Sequence, residues 1–297
     1  MKKSYIWGAV CGVLAAVSYG MNPLGALPLY AEGVATETVL LYRFGFAIPL
    51  LAAFMILTRH SFHLTRRAAV LTIALGGLFA ASSLTFYSSF QRMHVGVVCT
   101  ILFVYPVMTA AIMAILYKEK VTTKTVVSIA LALGGISFLS LSGGELKVEF
   151  WGLILVLISA LTYAVYIVVV NRSKVRLPVS SLTFWVLVFC WLFIASWSLV
   201  SSGPFAAFHW PHNLKQWGLG IFLALVPTLL SLLFMVVSDK RLGSTPTAIL
   251  GALEPVTAVC VSVFVFGDPF TWRLGVGMLC VGAAAIIILC QTKKESK

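Results

Sequence analysis

Charge is scarce in this chain of 297 residues: Asp and Glu together number 9, and charged residues of both signs make up only 10%. A globule of that length needs far more polar surface to cover itself in water, so a soluble fold is excluded. The six cysteines stand at positions 11, 99, 190, 260, 280 and 290, all inside apolar runs and with no Cys-x-x-Cys among them. That pattern offers neither a disulfide framework nor a zinc site. His209-Trp210-Pro211-His212 has the spacing of a metal pair but no neighbouring carboxylate or thiol, and reads as a loop with interfacial aromatics. A Walker-type glycine loop is missing as well, so ATP does not drive the protein directly. No cofactor and no metal are expected.

What the chain has instead is hydrophobic length. Residues of apolar type make up 60%, and the mean hydropathy is +1.02. A helix needs ~20 apolar residues to cross the hydrocarbon. Ten runs of that kind are present, at about 5–27, 38–58, 69–91, 95–116, 124–141, 150–170, 182–201, 216–238, 245–266 and 271–290. The connections between them are too short for a soluble domain. The first run follows Lys2 and Lys3 as a signal peptide would, but it is too long for the apolar core of a leader and is read as a span.

The surplus of positive charge, +12 net, sorts by side. In a ten-span arrangement sixteen Lys and Arg residues fall on the face bearing both termini, and only Arg92, Lys147, Lys215 and Arg273 fall on the other. The excess of Lys and Arg marks the cytoplasmic face, which predicts that both termini are cytoplasmic. The charge is thereby accounted for by topology and contact with anionic lipid, not by nucleic acid.

The chain also repeats itself. Ile101-Leu102-Phe103-Val104-Tyr105-Pro106 is answered by Leu250-Gly251-Ala252-Leu253-Glu254-Pro255, the prolines lying 149 positions apart (255 − 106). Glu119 maps onto Asp268 and Lys124 onto Arg273 at the same offset, while Trp7-Gly8 meets Trp151-Gly152 and Tyr19 meets Tyr163 at an offset of 144 (163 − 19). Residues 1–143 and 150–290 are therefore two five-helix repeats, with 291–297 as a cytoplasmic tail. Five is odd, so the second repeat enters the membrane from the opposite side. Inverted repeats of this kind are a transporter architecture with the substrate site where the halves meet.

The paired segments Gly96 to Glu119, containing Tyr105-Pro106, and Thr245 to Asp268, containing Leu253-Glu254-Pro255, resemble the drug/metabolite transporter superfamily, EamA type. The resemblance runs over essentially the whole chain. It implies an all-α polytopic protein of the inner or plasma membrane that is not an enzyme. It further implies a central cavity lined by helices one to four and six to nine, with five and ten peripheral, and export of amino acids or related small metabolites by alternating access. One departure is that Tyr105 stands where the second half has Glu254, so a role needing paired carboxylates is unsupported.

Two charged side chains fall well inside the spans, Arg43 and Glu254. Each would cost ~2.5–3.5 kcal/mol at the bilayer centre if it faced lipid, so both are expected to face protein or water. Glu254 either serves a substrate ammonium or a proton, or caps backbone groups freed by Pro255. Arg43 either binds a substrate carboxylate, pairs with Glu254, or snorkels as an interfacial anchor. The neutral cavity candidates are Tyr19 and Asn22, their counterparts Tyr163 and Tyr166, and Tyr105, Ser83, Tyr87 and Trp185. Tyr19 with Asn22 and Tyr163 with Tyr166 are each three apart, on one helix face, and Ser83 and Tyr87 lie in a hydroxyl-rich third span. Prolines at 23, 49, 106, 227 and 255 should bend or break their helices, with Pro106 and Pro255 as hinges. Gly8-x-x-x-Gly12, Gly76-Gly77, Gly134-Gly135 and Gly275-x-Gly277 suit close helix packing, and in the fifth and tenth spans a homodimer contact. The partners expected are a small-molecule substrate and membrane lipid. A lipid or lipid-carrier flippase of the same fold and a multidrug exporter are the alternative readings, and an intramembrane enzyme lacks the clustered nucleophiles or bases it would need.

Overall fold

The computed structural model describes residues 2–118, 123–140, 148–173, 177–202, 209–242, 247 and 250–295, and among them every regular element is a helix. The first repeat opens with α1 (Lys2–Gly20) and α2 (Asn22–Ala31), two pieces of one span. It continues through α3 (Thr36–Leu57) and α4 (Arg66–Ser89), the broken fourth span α5 (Val95–Leu102) and α6 (Tyr105–Tyr117), and α7 (Thr123–Ser140). The second comprises α8 (Phe150–Arg172), α9 (Val179–Ser202), α10 (Leu214–Ala224) joined to α11 (Ser231–Leu242) by a π-helical stretch Leu225–Leu230, then α12 (Leu253–Phe266) and α13 (Trp272–Glu295). Seven continuous stretches are long and apolar enough to cross a membrane, and the shorter apolar helices Thr123–Ile136, Leu253–Phe266 and Trp272–Ile287 mark the other three spans. The Glu119 counterpart of Asp268 lies outside the described residues.

The prolines act unequally. Pro23 cannot donate to Tyr19 O, the carbonyl four residues back, and its ring crowds that oxygen. The helix breaks at Met21, and Asn22 Nδ2 donates to the stranded Tyr19 O at 2.8 Å. Pro106 and Pro255 each fall in the first turn of a helix that restarts inside the membrane, where a missing N–H costs nothing. Pro227 sits within the π-helical stretch. At Pro49 the break does not occur: α3 runs through it as one helix, with the proline at an exposed position.

The packing reproduces the duplication. Span one packs on spans eight and nine, and span six, its repeat partner, packs on spans three and four. Spans two and seven, four and nine, and five and ten pair directly with their own counterparts. The principal neighbours of each span thus lie in the opposite repeat, and the halves interlock instead of standing as two separate bundles. Small residues make the crossings possible. A Cβ on Gly12 would sit 2.4 Å from Leu250 Cδ1, and one on Gly76 would sit 2.5 Å from Phe189 Cβ and 3.0 Å from the Cys190 backbone nitrogen. Gly135 likewise faces Cys280 and the Gly277 carbonyl, so the glycines of the fifth and tenth spans meet each other within one chain.

Gly134, one residue away, has nothing within 4 Å of its would-be Cβ. Thermal unfolding in detergent should separate the two cases. Gly76→Ala is expected to lose ~1–3 kcal/mol through overpacking against backbone that cannot yield. Gly134→Ala is expected to be neutral or to gain up to ~1 kcal/mol of helix propensity.

On the face that carries the loops after α2, α4 and α12, Glu32 accepts from Lys215 Nζ at 2.9 Å, Gln216 Nε2 at 3.0 Å and Asn213 Nδ2 at 3.2 Å. These donors, Lys215 foremost, hold its carboxyl down to about 2 from an ordinary 4.5. A depressed acid contributes stability that is present above its unfolded pKa and is lost as pH falls through the folded one. Glu32→Gln is therefore expected to lower the unfolding temperature at pH 7, and the gap to the wild type should shrink as pH drops from 4.5 towards 2.

Candidate functional site

Where the halves meet they enclose a cavity of about 190 Å³. Its wall draws on eight spans, from Tyr19 in the first and Arg43 in the second to Met235 in the eighth and Glu254 in the ninth, and on neither the fifth nor the tenth. Its widest aromatic surface belongs to the sixth span. Tyr163 and Tyr166 stack at 5.8 Å with 6° between their rings, Tyr105 meets Tyr163 edge-on at 4.9 Å, and Phe79 tilts against Tyr166 at 5.7 Å. A smaller chamber of about 20 Å³, room for about one water, adjoins it behind Tyr19, Tyr105 and Glu254 and is closed by Asn22, Cys99 and Pro255.

Arg43 is 3% exposed and is built into the wall. Its Nε donates to Thr228 Oγ1 at 3.0 Å and its Nη1 to the Tyr87 hydroxyl at 2.9 Å. Tyr87 passes the chain on to Asn22 Oδ1 at 2.8 Å. The guanidinium also lies 5.1 Å from the Phe44 ring and 6.0 Å from the Tyr19 ring. Those two hydrogen bonds occupy two of the five N–H donors of the guanidinium, so it can still receive a bidentate carboxylate. The interfacial-anchor reading of Arg43 is overturned, since a side chain so enclosed cannot snorkel.

Glu254 is the opposite case. It stands in the first turn of α12. Its side chain makes no hydrogen bond and no ion pair among the described residues, and it lines both chambers. Two expectations are corrected by this. Glu254 does not cap the backbone at Pro255, because the first turn of a helix has no bond for proline to break. Nor does it pair with Arg43: among the described residues no ion pair joins the two, and the donations of Arg43 go to Thr228 and Tyr87. The guanidinium and the carboxyl group face one cavity without touching.

The other residues divide by what they touch. Tyr19, Ser83, Tyr105, Tyr163 and Tyr166 line the larger chamber. Asn22 borders only the smaller one and spends its side chain on the Tyr19 carbonyl and the Tyr87 hydroxyl, because the break at Met21 takes it off the face it would share with Tyr19. Tyr87 is fully buried and holds Arg43 without reaching the cavity surface. Trp185 is outside the site: its indole donates to Phe62 O at 3.2 Å and ties α9 to the loop before α4. Of the hydroxyl-rich third span, Ser82 and Ser159 clasp spans three and six by reciprocal bonds, Ser82 Oγ to Ser159 O at 3.1 Å and Ser159 Oγ to Ser82 O at 2.8 Å.

Thr228 escapes sequence reading. The π-helical stretch lets its Oγ1 bond the Leu223 carbonyl at 2.9 Å, five residues back, while accepting from Arg43. The one signal in the sequence is a threonine beside an intramembrane proline. Single-turn π insertions often mark functional sites.

Ten apolar spans, interlocked as two repeats around a cavity with an arginine, an unpaired carboxylate and an aromatic wall, define a multi-pass membrane protein built to admit a solute. A family model of the EamA-like transporter family matches residues 6–141 and again 150–290. The chain belongs to the EamA-like transporter family, and with it to the drug/metabolite transporter superfamily, whose members are transporters and not enzymes. Among solved structures 28 chains match. One of these, a crystal structure of a protein 15% identical, aligns over 100% of both chains with a TM-score of 0.64, a likeness of fold. The search of curated proteins returned no match.

Proposed function

We propose that the protein is a secondary transporter of the inner or plasma membrane, with both termini cytoplasmic, that exports amino acids or related small zwitterions by alternating access. The observation that carries this reading is an arginine and a carboxyl group facing one cavity without contact. Arg43 keeps donors for a carboxylate, and Glu254 has no partner of its own until an ammonium arrives. Between them, the stacked Tyr163 and Tyr166 with Tyr105 and Phe79 offer flat faces to an apolar or aromatic side chain. The volume, about 190 Å³, fits a metabolite better than a lipid tail. Pro106 and Pro255, at helix starts in mid-membrane, are the hinges about which the fourth and ninth spans swing.

The test is efflux from proteoliposomes loaded with an equimolar mixture of the common amino acids, with mass spectrometry of the exterior. One or a few zwitterions should leave faster through the wild type than through Tyr163→Ala at equal reconstitution. Equal release of all of them by both proteins, together with accelerated crossing of a fluorescent phospholipid by the wild type, would replace this reading with a lipid flippase.

A further inference from the structure

Two ion pairs and one histidine–carboxylate hydrogen bond stand among the described residues, and each joins one repeat to the other. Lys215 Nζ at the start of α10 meets Glu32 at the end of α2 at 2.9 Å. Arg92, after α4, meets Glu149 at the start of α8 at 2.7 Å. His94, before α5, meets Asp268, after α12, at 2.9 Å, and Asp268 is also gripped by the Ser262 hydroxyl of its own helix. The helix ends involved all lie at one face of the membrane, the face opposite the loops that follow α3 and α8.

On that second face the described contacts between repeats are of another kind. Ser181 Oγ donates to the Ser61 carbonyl at 2.6 Å and Trp185 to the Phe62 carbonyl, and Arg172 lies 4.3 Å over the Tyr117 ring.

We propose that these three contacts form a charge latch over one mouth of the cavity, so that opening this mouth requires parting them. Each pair alone is weak, since exposed ion pairs are screened and cost side-chain entropy. They act in parallel across one seam between the same two interlocked halves, so their effects on the equilibrium between the two open states multiply. Charge and salt at this face therefore set how long the transporter rests with this mouth closed. The proposal rests on alternating access and not on the identity of the solute.

The experiment reads which way the cavity opens without any substrate. In a chain whose native cysteines are replaced by alanine, Ser83→Cys places a thiol on the cavity wall. A membrane-impermeant sulfonate methanethiosulfonate is applied to intact cells and to inverted vesicles. Leu214→Cys, at an 88% exposed position on the latch face, reports which preparation presents that face.

Combining Glu32→Gln, Arg92→Gln and Asp268→Asn is expected to speed labelling from the latch face by roughly three- to tenfold and to slow it from the other. Raising salt from low concentration to molar on the unsubstituted latch should push labelling in the same direction, with no change at the Leu214→Cys control. Exchanging the charges, as Arg92→Glu with Glu149→Arg, should return the rate towards that of the intact latch where either substitution alone raises it. The proposal is overturned if labelling rises equally from both faces, which would mean a loosened fold. It is equally overturned if salt leaves the latch-face rate unchanged, or if the exchanged pair behaves like the single variants.

Discussion

Glu254→Gln should abolish most transport while leaving the protein as stable as before. The carboxyl group has no hydrogen bond or ion pair to lose among the described residues, so the amide of the same shape gives up nothing in the empty protein. What disappears is a charge-assisted contact to the solute, ~1.5–3 kcal/mol for such bonds, or about 10- to 150-fold in kcat/KM. Counterflow in proteoliposomes measures the first effect and thermal unfolding in detergent the second. Loss of transport with an equal loss of stability would make Glu254 a structural residue after all.

Arg43 should fail on both measures. Arg43→Gln removes the donors to Thr228 and Tyr87 together with the cation that faces the cavity. Transport is expected to fall by about 10- to 100-fold, and stability by ~1–3 kcal/mol, the scale of a buried polar network deprived of one member. Arg43→Lys should not rescue it, because an ammonium cannot hold two partners in the fixed geometry of Nε and Nη1 and still present a bidentate face. Thr228→Val divides the roles: it takes away the Nε acceptor and leaves the cation in place, so the stability loss should persist in part while KM rises more than kcat falls. Since Arg43 and Glu254 do not touch, the stability changes of Arg43→Gln and Glu254→Gln should add. A double variant whose stability departs from the sum of the two single changes by more than ~0.5 kcal/mol would reveal a direct pair.

The span count and the duplication are legible in the sequence because hydrophobic length and sequence offset are one-dimensional quantities. The broken fourth and ninth spans are announced by Tyr105-Pro106 and Glu254-Pro255. The break in the first span is written at Pro23, and its consequence for Asn22 could be derived from the carbonyl four residues back. Pro49 shows the limit of that rule, since the same residue type within α3 leaves the helix whole. Local chemistry says which bond is lost, and not whether the helix survives losing it.

The site is legible as a list and not as an arrangement. Arg43 and Glu254 stand out because charge is rare inside spans, yet whether they touch depends on side-chain reach across three helices. Trp185 looks like a cavity residue on composition and serves a loop instead. Thr228, which fixes Arg43, is one threonine among many, and what makes it special is a backbone irregularity that leaves no mark beyond the neighbouring proline.

That irregularity has a consequence for the duplication itself. Between Tyr19 and Pro106 the first repeat spends 87 residues (106 − 19), and between Tyr163 and Pro255 the second spends 92 (255 − 163). The third span is an uninterrupted helix, whereas its partner, the eighth, carries the π-helical stretch. Two identical halves would make the two facing states equivalent by a two-fold rotation and equal in energy, and a symmetric membrane would leave the choice between them to chance. Here the symmetry is broken in the covalent chain, so the two facing states differ in energy and one is the rest position, while the direction of net transport is still set by the gradient.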